Sequence, residues 1–279
     1  MSYSQLNQDI EVLKFYNYKL NGFFIEIGAS DGIELSNTYL LEKDYNWKGI
    51  CVEPIPEKFK LLCNNRPNSI CCSDAVYNES NKQVIFDISN SSDLFSGISK
   101  NIACHKNIVD SDKTQIIVNT ITLNDLLEKY NAPSFIDYLS LDTEGSELEI
   151  LKSVDYNKYI FGVIDIEHNY LEPFRTSIRE LLTSNGYEYI KENQWDDSYM
   201  HKSIFSKLIY YYHNDYTKPI TIIINKQTNS VKVSSSYWND DFGTLNNDEI
   251  TFNILGTGKI HPKCLLFNYD NFWHIDLRK

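Results

Sequence analysis

No apolar run in this 279-residue chain approaches the length of a membrane-spanning helix. The opening residues, Met1 to Gln5, have neither the basic start nor the apolar stretch of a secretory signal, so a cytoplasmic protein is expected. The six cysteines include the adjacent Cys71 and Cys72 but form no CxxC pair, and histidine is equally scarce. That usage reads as reduced thiols. Positive charge is also short: 26 Lys and Arg stand against 38 Asp and Glu, a net charge of -12, and no sustained basic cluster occurs. A nucleic-acid substrate is therefore disfavoured, because phosphate contacts need local positive charge. There is no nucleophile elbow, no P-loop lysine motif and no metallohydrolase histidine array. The abundant Asn, Ile, Lys and Tyr read as the coding bias of an AT-rich genome, such as that of a large DNA virus or an AT-rich microbe; for a virus the expected compartment is the host cytoplasm.

The most informative stretch is residues 23–32, Phe-Phe-Ile-Glu-Ile-Gly-Ala-Ser-Asp-Gly. It reads as a buried strand running into a glycine turn, the start of a nucleotide-type site in a doubly wound sheet. A second acidic strand end, Val52-Glu53-Pro54, follows about 20 residues on, where a carboxylate takes ribose hydroxyls. The glycines, Gly28 and Gly32, are spaced GxxxG rather than GxGxxG, and Asp31 sits inside the turn. A carboxylate there opposes a pyrophosphate and favours S-adenosylmethionine over NAD.

Strands and helices alternate through about residue 205. Strands are predicted at 23–27, 49–53, 69–72, 83–88, 136–141 and 162–166, with helices at 5–20, 35–43, 57–64, 122–130 and 146–152, and another opening at Pro173. Segments 187–191 and 199–205 are expected to pair as an antiparallel end to the sheet. The fold class is α/β, a doubly wound Rossmann-like sheet. The polar, serine-rich stretch 89–114 lacks periodicity and reads as a lid or substrate loop. From about 216 only short strands are evident, so the expected division is a main domain, 1–215, and a small all-β domain, 216–279, packing on the main domain or on a partner subunit as a homo-oligomer.

Ligands of such sheets bind at the carboxyl ends of the strands. Polar clusters mark those ends at Glu26 to Gly32, Glu53, Asp74, Asp142 to Gly145, and Glu167 to Asn169. Gly28 and Gly32 allow close backbone approach. Glu53 is placed on the ribose and Asp74 on the adenine amino group, with Ala75 leaving room for the ring. Asp142 and Glu144, two residues apart at a strand end, point the same way and could orient an acceptor, act as base or bind a hard cation. His168 is the best protein base, since imidazole titrates near neutrality. Asp142, Glu167 and His168 together would suit Mg²⁺ or Mn²⁺.

The chain resembles the FkbM-type S-adenosylmethionine-dependent methyltransferases over residues 3–205. The resemblance rests on Tyr3-Ser-Gln5 with Gln8-Asp9, Phe24-Ile-Glu26-Ile-Gly28-Ala29-Ser-Asp31-Gly32, Ser36-Asn37-Thr38, Leu41-Glu42, Trp47-Lys-Gly49, Val52-Glu53-Pro54, Asn65-Arg66-Pro67, Ser96-Gly97, Thr122-Leu123 and Leu139-Ser-Leu-Asp142-Thr-Glu144-Gly145-Ser-Glu147. It implies a class I methyltransferase fold and O-methylation of a hydroxyl, commonly on a sugar or polyketide-like acceptor. It places the cofactor on Gly28 and its neighbours and on Glu53, with Asp142 and Glu144 facing the acceptor; with the strand-end reading, the expected cofactor set is Glu26, Gly28, Ala29, Asp31, Gly32, Asn37, Glu53, Asp74, Ala75 and Asp142. The tail lies outside it; Trp238, Tyr269 and Trp273 could stack on a sugar or fill a small core. The alternatives are a carbohydrate-binding or structural protein with an idle cofactor domain, and a nucleotide-linked dehydrogenase.

Overall fold

A computed structural model of the chain describes residues 1–212, 215–235, 238–246, 249–252, 257–260, 264–268 and 273–277. The chain divides into two compact units: Met1–Ile10 with Leu20–His201, and Glu11–Lys19 with Lys202–Lys279.

In the first unit the strands are β1 (Phe23–Ile27), β2 (Lys48–Val52), β3 (Ile70–Cys72), β4 (Ala75–Val76), β5 (Gln83–Ser89), β6 (Gly97–Ile98), β7 (Lys113–Ile121), β8 (Phe135–Leu141), β9 (Ile160–Glu167), β10 (Tyr187–Asn193) and β11 (Asp196–His201). After a first helix, α1 (Gln8–Phe15), come α2 (Tyr39–Tyr45), α3 (Pro56–Asn65), α4 (Lys106–Ser111), α5 (Leu123–Lys129), α6 (Glu147–Lys152) and α7 (Phe174–Ser184). Seven strands form one sheet in the order β10-β11-β9-β8-β1-β2-β3. Its central strands are parallel; β11 runs antiparallel to β9, and β10 to β11.

Apolar side chains align across this sheet in register. Ile50 pairs with Ile25, Ile25 with Leu139, Leu139 with Ile164 and Ile164 with Tyr199. All five are fully buried, and each such side chain stabilises the fold by about 1.5–3 kcal/mol. The continuous apolar runs of the parallel strands follow from burial on both faces, where helices such as α5, α6 and α7 pack. Thr122 caps α5 by accepting from the Asp125 N–H at 3.1 Å. Pro56 occupies the first turn of α3, and Asn46 ends α2 in the left-handed region.

Two sequence expectations differ from the structure here. The helix expected from Leu35 begins only at Tyr39, because the preceding residues bind Glu26: Ser36 Oγ, the Asn37 N–H and Thr38 Oγ1 all donate to its carboxylate. The 89–114 excursion is not a featureless loop. It holds β6, α4 and the start of β7, and residues 113–119 of β7 pair antiparallel with the whole of β5 in a second sheet, β4-β7-β5-β6. The Lys-Thr-Gln opening of β7 hid the strand, since its outer face is solvated.

The second unit is a closed antiparallel barrel of eight strands: β12 (Phe205–Tyr212), β13 (Asp215–Asn225), β14 (Ser230–Ser235), β15 (Trp238–Asn246), β16 (Glu249–Phe252), β17 (Thr257–Ile260), β18 (Cys264–Asn268) and β19 (Trp273–Leu277). Each pairs with its sequence neighbours and β12 closes on β19, so no edge is left free. Ile220, Ile222, Val231, Val233 and Ile250 are buried in it. The barrel starts at Phe205 and residues 11–19 belong with its unit, so the cut expected at 216 falls after its first strand. The strand expected at 199–205 is interrupted: a turn at 202–204 separates β11 from β12. The aromatic surface expected from Trp238, Tyr269 and Trp273 rests on side chains outside the described residues.

One buried cation organises the entrance to the main sheet. Arg66, 1 % exposed, donates from Nε to Glu42 at 2.6 Å, from Nη1 to Glu26 at 3.2 Å and to the Gly32 carbonyl at 3.2 Å, and from Nη2 to Thr38 Oγ1 at 2.8 Å. Its guanidinium also lies 5.2 Å from the Phe24 ring centroid. Removing one partner of such a group strands buried charge, at a cost of about 3–5 kcal/mol. Arg66→Met is therefore expected to lower the unfolding free energy by about that amount, read from urea denaturation; a loss under ~1 kcal/mol would show that the cluster contributes little.

Candidate functional site

The carboxyl ends of β1, β2, β8 and β9 open onto a cleft of about 350 Å³. Its geometry begins with Gly28, which has φ +89°; a Cβ there would stand 2.0 Å from the Asp142 carbonyl oxygen. Asp142 N–H in turn donates to the Ile27 carbonyl at 3.1 Å. The two motif loops thus touch backbone to backbone. Gly32, at φ +81°, serves packing instead: its missing Cβ makes room for Leu62 and Arg66.

Glu26, Gly28, Ala29, Asn37, Glu53, Ala75, Asp142, Glu144 and Glu167 all line the cleft. Glu26 is already saturated by Ser36, Asn37, Thr38 and Arg66. Asn37 donates from its amide nitrogen to Ser140 Oγ at 2.9 Å, while its buried Oδ1 has no donor. Glu53, 5 % exposed, accepts from the Ser30 N–H at 3.0 Å and the Ile55 N–H at 2.7 Å. Those bonds aim both oxygens, and burial outweighs them to push the carboxyl up to about 7.

Four sequence candidates stand apart from the cleft lining. Asp31 closes its own turn, accepting from the Ile33 and Glu34 N–H groups, and Gly32 packs on α3. Asp74 pairs with Lys129 at 3.3 Å, so Ala75 lines the cleft without it. His168 is buried, and its Nδ1 accepts from the Tyr170 N–H at 2.9 Å. Its Nε2 faces Asp197 at 3.4 Å, beside Arg175 and Arg179. With Nδ1 taken by the Tyr170 N–H and Nε2 turned toward Asp197, the imidazole lies outside the cleft lining and is not placed to serve as the base expected from sequence. For the same reason the Mg²⁺ or Mn²⁺ set of Asp142, Glu167 and His168 is not assembled.

What does assemble is a group of carboxyls. One oxygen each from Asp142, Glu144 and Glu167 lies within 4.8 Å of the others. Asp142 is exposed to the cleft, and desolvation, then the charge of Glu147, raises its carboxyl to about 7 against a hydrogen bond shared with Glu167. Desolvation followed by Asp142 and Glu147 raises Glu144 to about 9, and Glu167 lies well above the usual carboxylate range for like reasons. Glu147 sits behind them, its Oε1 accepting from Thr143 N–H, Thr143 Oγ1 and Gly145 N–H, which folds the 142–147 loop. Asp165 accepts from Tyr138 at 2.8 Å and Ser198 at 2.5 Å, and Asp196 from Gln8 at 2.6 Å.

The opposite wall comes from the 89–114 excursion. Lys58 pairs with Asp93 at 2.8 Å. Phe95 stacks on His105 with centroids 4.0 Å apart, and His105 Nε2 lies 3.9 Å from Glu144. Burial holds His105 below its ordinary value. None of Lys58, Phe95, His105, Asp165 or Asp196 was marked from the sequence; only the irregular excursion hinted at the wall, and Asp196 sits in an antiparallel strand that the parallel-sheet rule does not cover.

A profile of the Methyltransferase FkbM domain matches residues 26–189. The chain belongs to the FkbM methyltransferase family. Its fold resembles solved structures of low identity. A precorrin-6y C5,15-methyltransferase from Geobacter metallireducens is 12 % identical over 69 % of this chain and 84 % of that one, with a TM-score of 0.38. A putative RNA methyltransferase from Pyrococcus horikoshii is 10 % identical over 70 % and 82 %, with a TM-score of 0.38. An FkbM methyltransferase from Methylobacillus flagellatus is 14 % identical over 65 % of this chain and 44 % of that one, with a TM-score of 0.36. No curated protein matches. No helix among the described residues is long and apolar enough to cross a membrane.

The raised carboxyls give this FkbM protein a stability signature. Glu144 takes up its proton near 9 in the folded chain and near ~4.3 in the unfolded one, so the folded state holds the extra proton between those values and stability falls as pH rises through them. Glu144→Gln is expected to flatten the decline between about pH 5 and 9, measured as urea midpoints. An unchanged slope would remove Glu144 as its source.

Proposed function

We propose that the protein transfers the methyl group of S-adenosylmethionine to a hydroxyl of an uncharged, polyhydroxylated acceptor, a sugar or glycan. The observation that carries this reading is the pairing, on one cleft, of a backbone-aimed Glu53 at the end of β2 with Asp142 at the end of β8. Glu53 is oriented to accept from the two ribose hydroxyls, each of its oxygens keeping a lone pair free of the Ser30 and Ile55 bonds. The same acidity works against a pyrophosphate, and so against a dinucleotide. It also works against a phosphorylated acceptor: Lys58 is the one Lys or Arg in the described lining, and Asp93 holds it.

The bound sulfonium supplies an activated methyl group. The chain's own residues then hold the hydroxyl in line and accept its proton. Asp142 is the base we favour in place of His168, because a carboxyl near 7 is half ionised at neutral pH and faces the cleft. As the C–O bond forms the C–S bond breaks, its electron pair stays on sulfur, and the hydroxyl proton passes to Asp142. The products are a methyl ether and S-adenosylhomocysteine. Ala75, Ile55 and Val76 offer an apolar seat for the adenine ring.

Calorimetric titration with S-adenosylmethionine, with NAD as the comparison, tests the cofactor. Binding of the first alone is expected, and Glu53→Ala is expected to weaken it by about ten- to a hundredfold, the loss of hydrogen bonds to a charged group. Binding of NAD instead would overturn the reading. With an acceptor from a panel of neutral glycosides, Asp142→Asn is expected to cut turnover by about 10²- to 10⁴-fold while cofactor affinity moves little. Turnover at the wild-type rate would remove Asp142 as base.

A further inference from the structure

The β3 edge of the main sheet carries chemistry that the cleft does not use. Cys51, Cys63, Cys71 and Cys72 are all free thiols. Cys51 on β2 and Cys71 on β3 are register partners in neighbouring parallel strands, so their side chains leave the sheet on the same side. That side is the one held by Arg66: Cys51 Sγ lies 4.0 Å from Glu26 Oε2, the oxygen that also accepts from Arg66 Nη1. Cys72, next along β3, takes the opposite side and turns its Sγ to Asp74 at 3.8 Å. Arg66 ends α3, and the short link from Arg66 to Ser69 carries the chain into β3. The Ser69 N–H closes that turn on the Arg66 carbonyl at 3.2 Å. α3 therefore packs back on β3, and Cys63 in its last turn is a hydrogen-bond partner of Cys71. Cys63 is exposed, Cys71 half-buried and Cys51 buried, so the outer two thiols are the ones a reagent meets.

We propose that Cys63 and Cys71 form a dithiol site for small disulfides of the glutathione class, closing reversibly to a disulfide that fastens α3 to β3. In the first step the Cys63 thiolate, open to solvent, attacks one sulfur of the reagent. A bond from Cys63 to glutathione forms, the reagent's S–S bond breaks and one glutathione thiolate leaves. In the second step Cys71 gives its proton to solvent and its thiolate attacks the Cys63 sulfur, releasing the second glutathione. The two cysteines have then lost two electrons and two protons, and the reagent has become two thiols. The surroundings suit this order. Burial, then the neighbouring Cys63, pushes the Cys71 thiol up to about 12, against the charge of Arg66. Once Cys63 is in the mixed disulfide it no longer repels a thiolate at Cys71. The Arg66 guanidinium, fixed by Glu26 and Glu42, remains to favour one. Cys51 behind them is fully buried, and that burial holds its thiol well up, which keeps it out of the exchange.

The test incubates the reduced full chain with oxidised glutathione, quenches it with acid, unfolds it without reductant and alkylates it. Tandem mass spectrometry then locates each cysteine. The expected result is the loss of both alkylatable thiols at Cys63 and Cys71. The segment that holds them is lighter by two hydrogen atoms, carries no glutathione and has Cys72 alkylated. Dithiothreitol is expected to restore both thiols. Cys71→Ser is expected to stop the reaction at a glutathione adduct on Cys63, and Cys63→Ser to leave Cys71 alkylatable. A stable glutathione adduct on Cys63 of the unchanged chain overturns the proposal. So does a disulfide joining other cysteines in its place, or a Cys63 and Cys71 that both remain alkylatable. None of these readouts depends on methyl transfer, so the proposed function stands or falls separately.

Discussion

The geometry of the site depends on a guanidinium that no solvent reaches. Arg66 joins Glu26 on β1, Glu42 on α2 and the Gly32 carbonyl in the first motif turn. Glu26, so neutralised, can spend its other lone pairs on Ser36, Asn37 and Thr38, and those bonds decide where α2 begins. Glu42 meanwhile receives Ser69 and the Asn68 N–H, which fixes the chain entering β3. An ion cluster buried this way, taken whole, contributes little net stability over an apolar filling of the same shape, although removing Arg66 alone strands its carboxylates. Its effect is to select one arrangement of turn, helix and strand around the mouth of the cleft.

With that frame set, the cleft becomes a meeting of two unlike walls. The sheet side is acidic and built at strand ends, where Gly28 lets β1 and β8 approach to backbone contact. The other side is aromatic and basic in part, with Phe95, His105 and Lys58. The acidic side brings Asp142, Glu144 and Glu167 within 4.8 Å of one another, and under the proposed function that crowding of carboxyls disfavours a phosphate.

Much of this was legible in the sequence, for definite reasons. The main-sheet strands showed as apolar runs because burial on both faces leaves no alternation to confuse. Glu53, Asp142 and Glu144 could be placed on the cleft because strand ends in a parallel sheet face one way. The same rule misled at Asp74 and His168. Each follows a strand, but Asp74 turns to Lys129 and His168 to Asp197, partners far along the chain that no local pattern announces. Asp31 was given a ligand role, whereas its Oδ1 accepts from the Ile33 and Glu34 N–H groups of its own turn and it lies outside the cleft lining. Strand β7 and the residues of the excursion were missed because a half-solvated strand with a polar start has no periodic signature. The barrel's β character was readable from its short strands, while its start at Phe205 was not, since the turn before it, Lys202-Ser203-Ile204, carries no Gly, Pro, Asn or Asp to mark it.

The excursion that forms the second wall is closed at its neck by Asn90, whose N–H meets the Asp112 carbonyl at 3.1 Å and whose amide meets Asp112 Oδ1 at 2.8 Å. At its far end Asn101 donates to Ser146 at 3.0 Å, beside the acidic loop. A segment clasped at both places is a cassette. Its inward side chains can be exchanged without reopening the ring of contacts that positions Asp142, and the entropy of closing it is already met by the neck. Under the proposed function, Leu94, Phe95 and His105 on this wall are then the positions at which substitution would alter contacts to an acceptor while Glu53 and Asp142 stay where the sheet holds them.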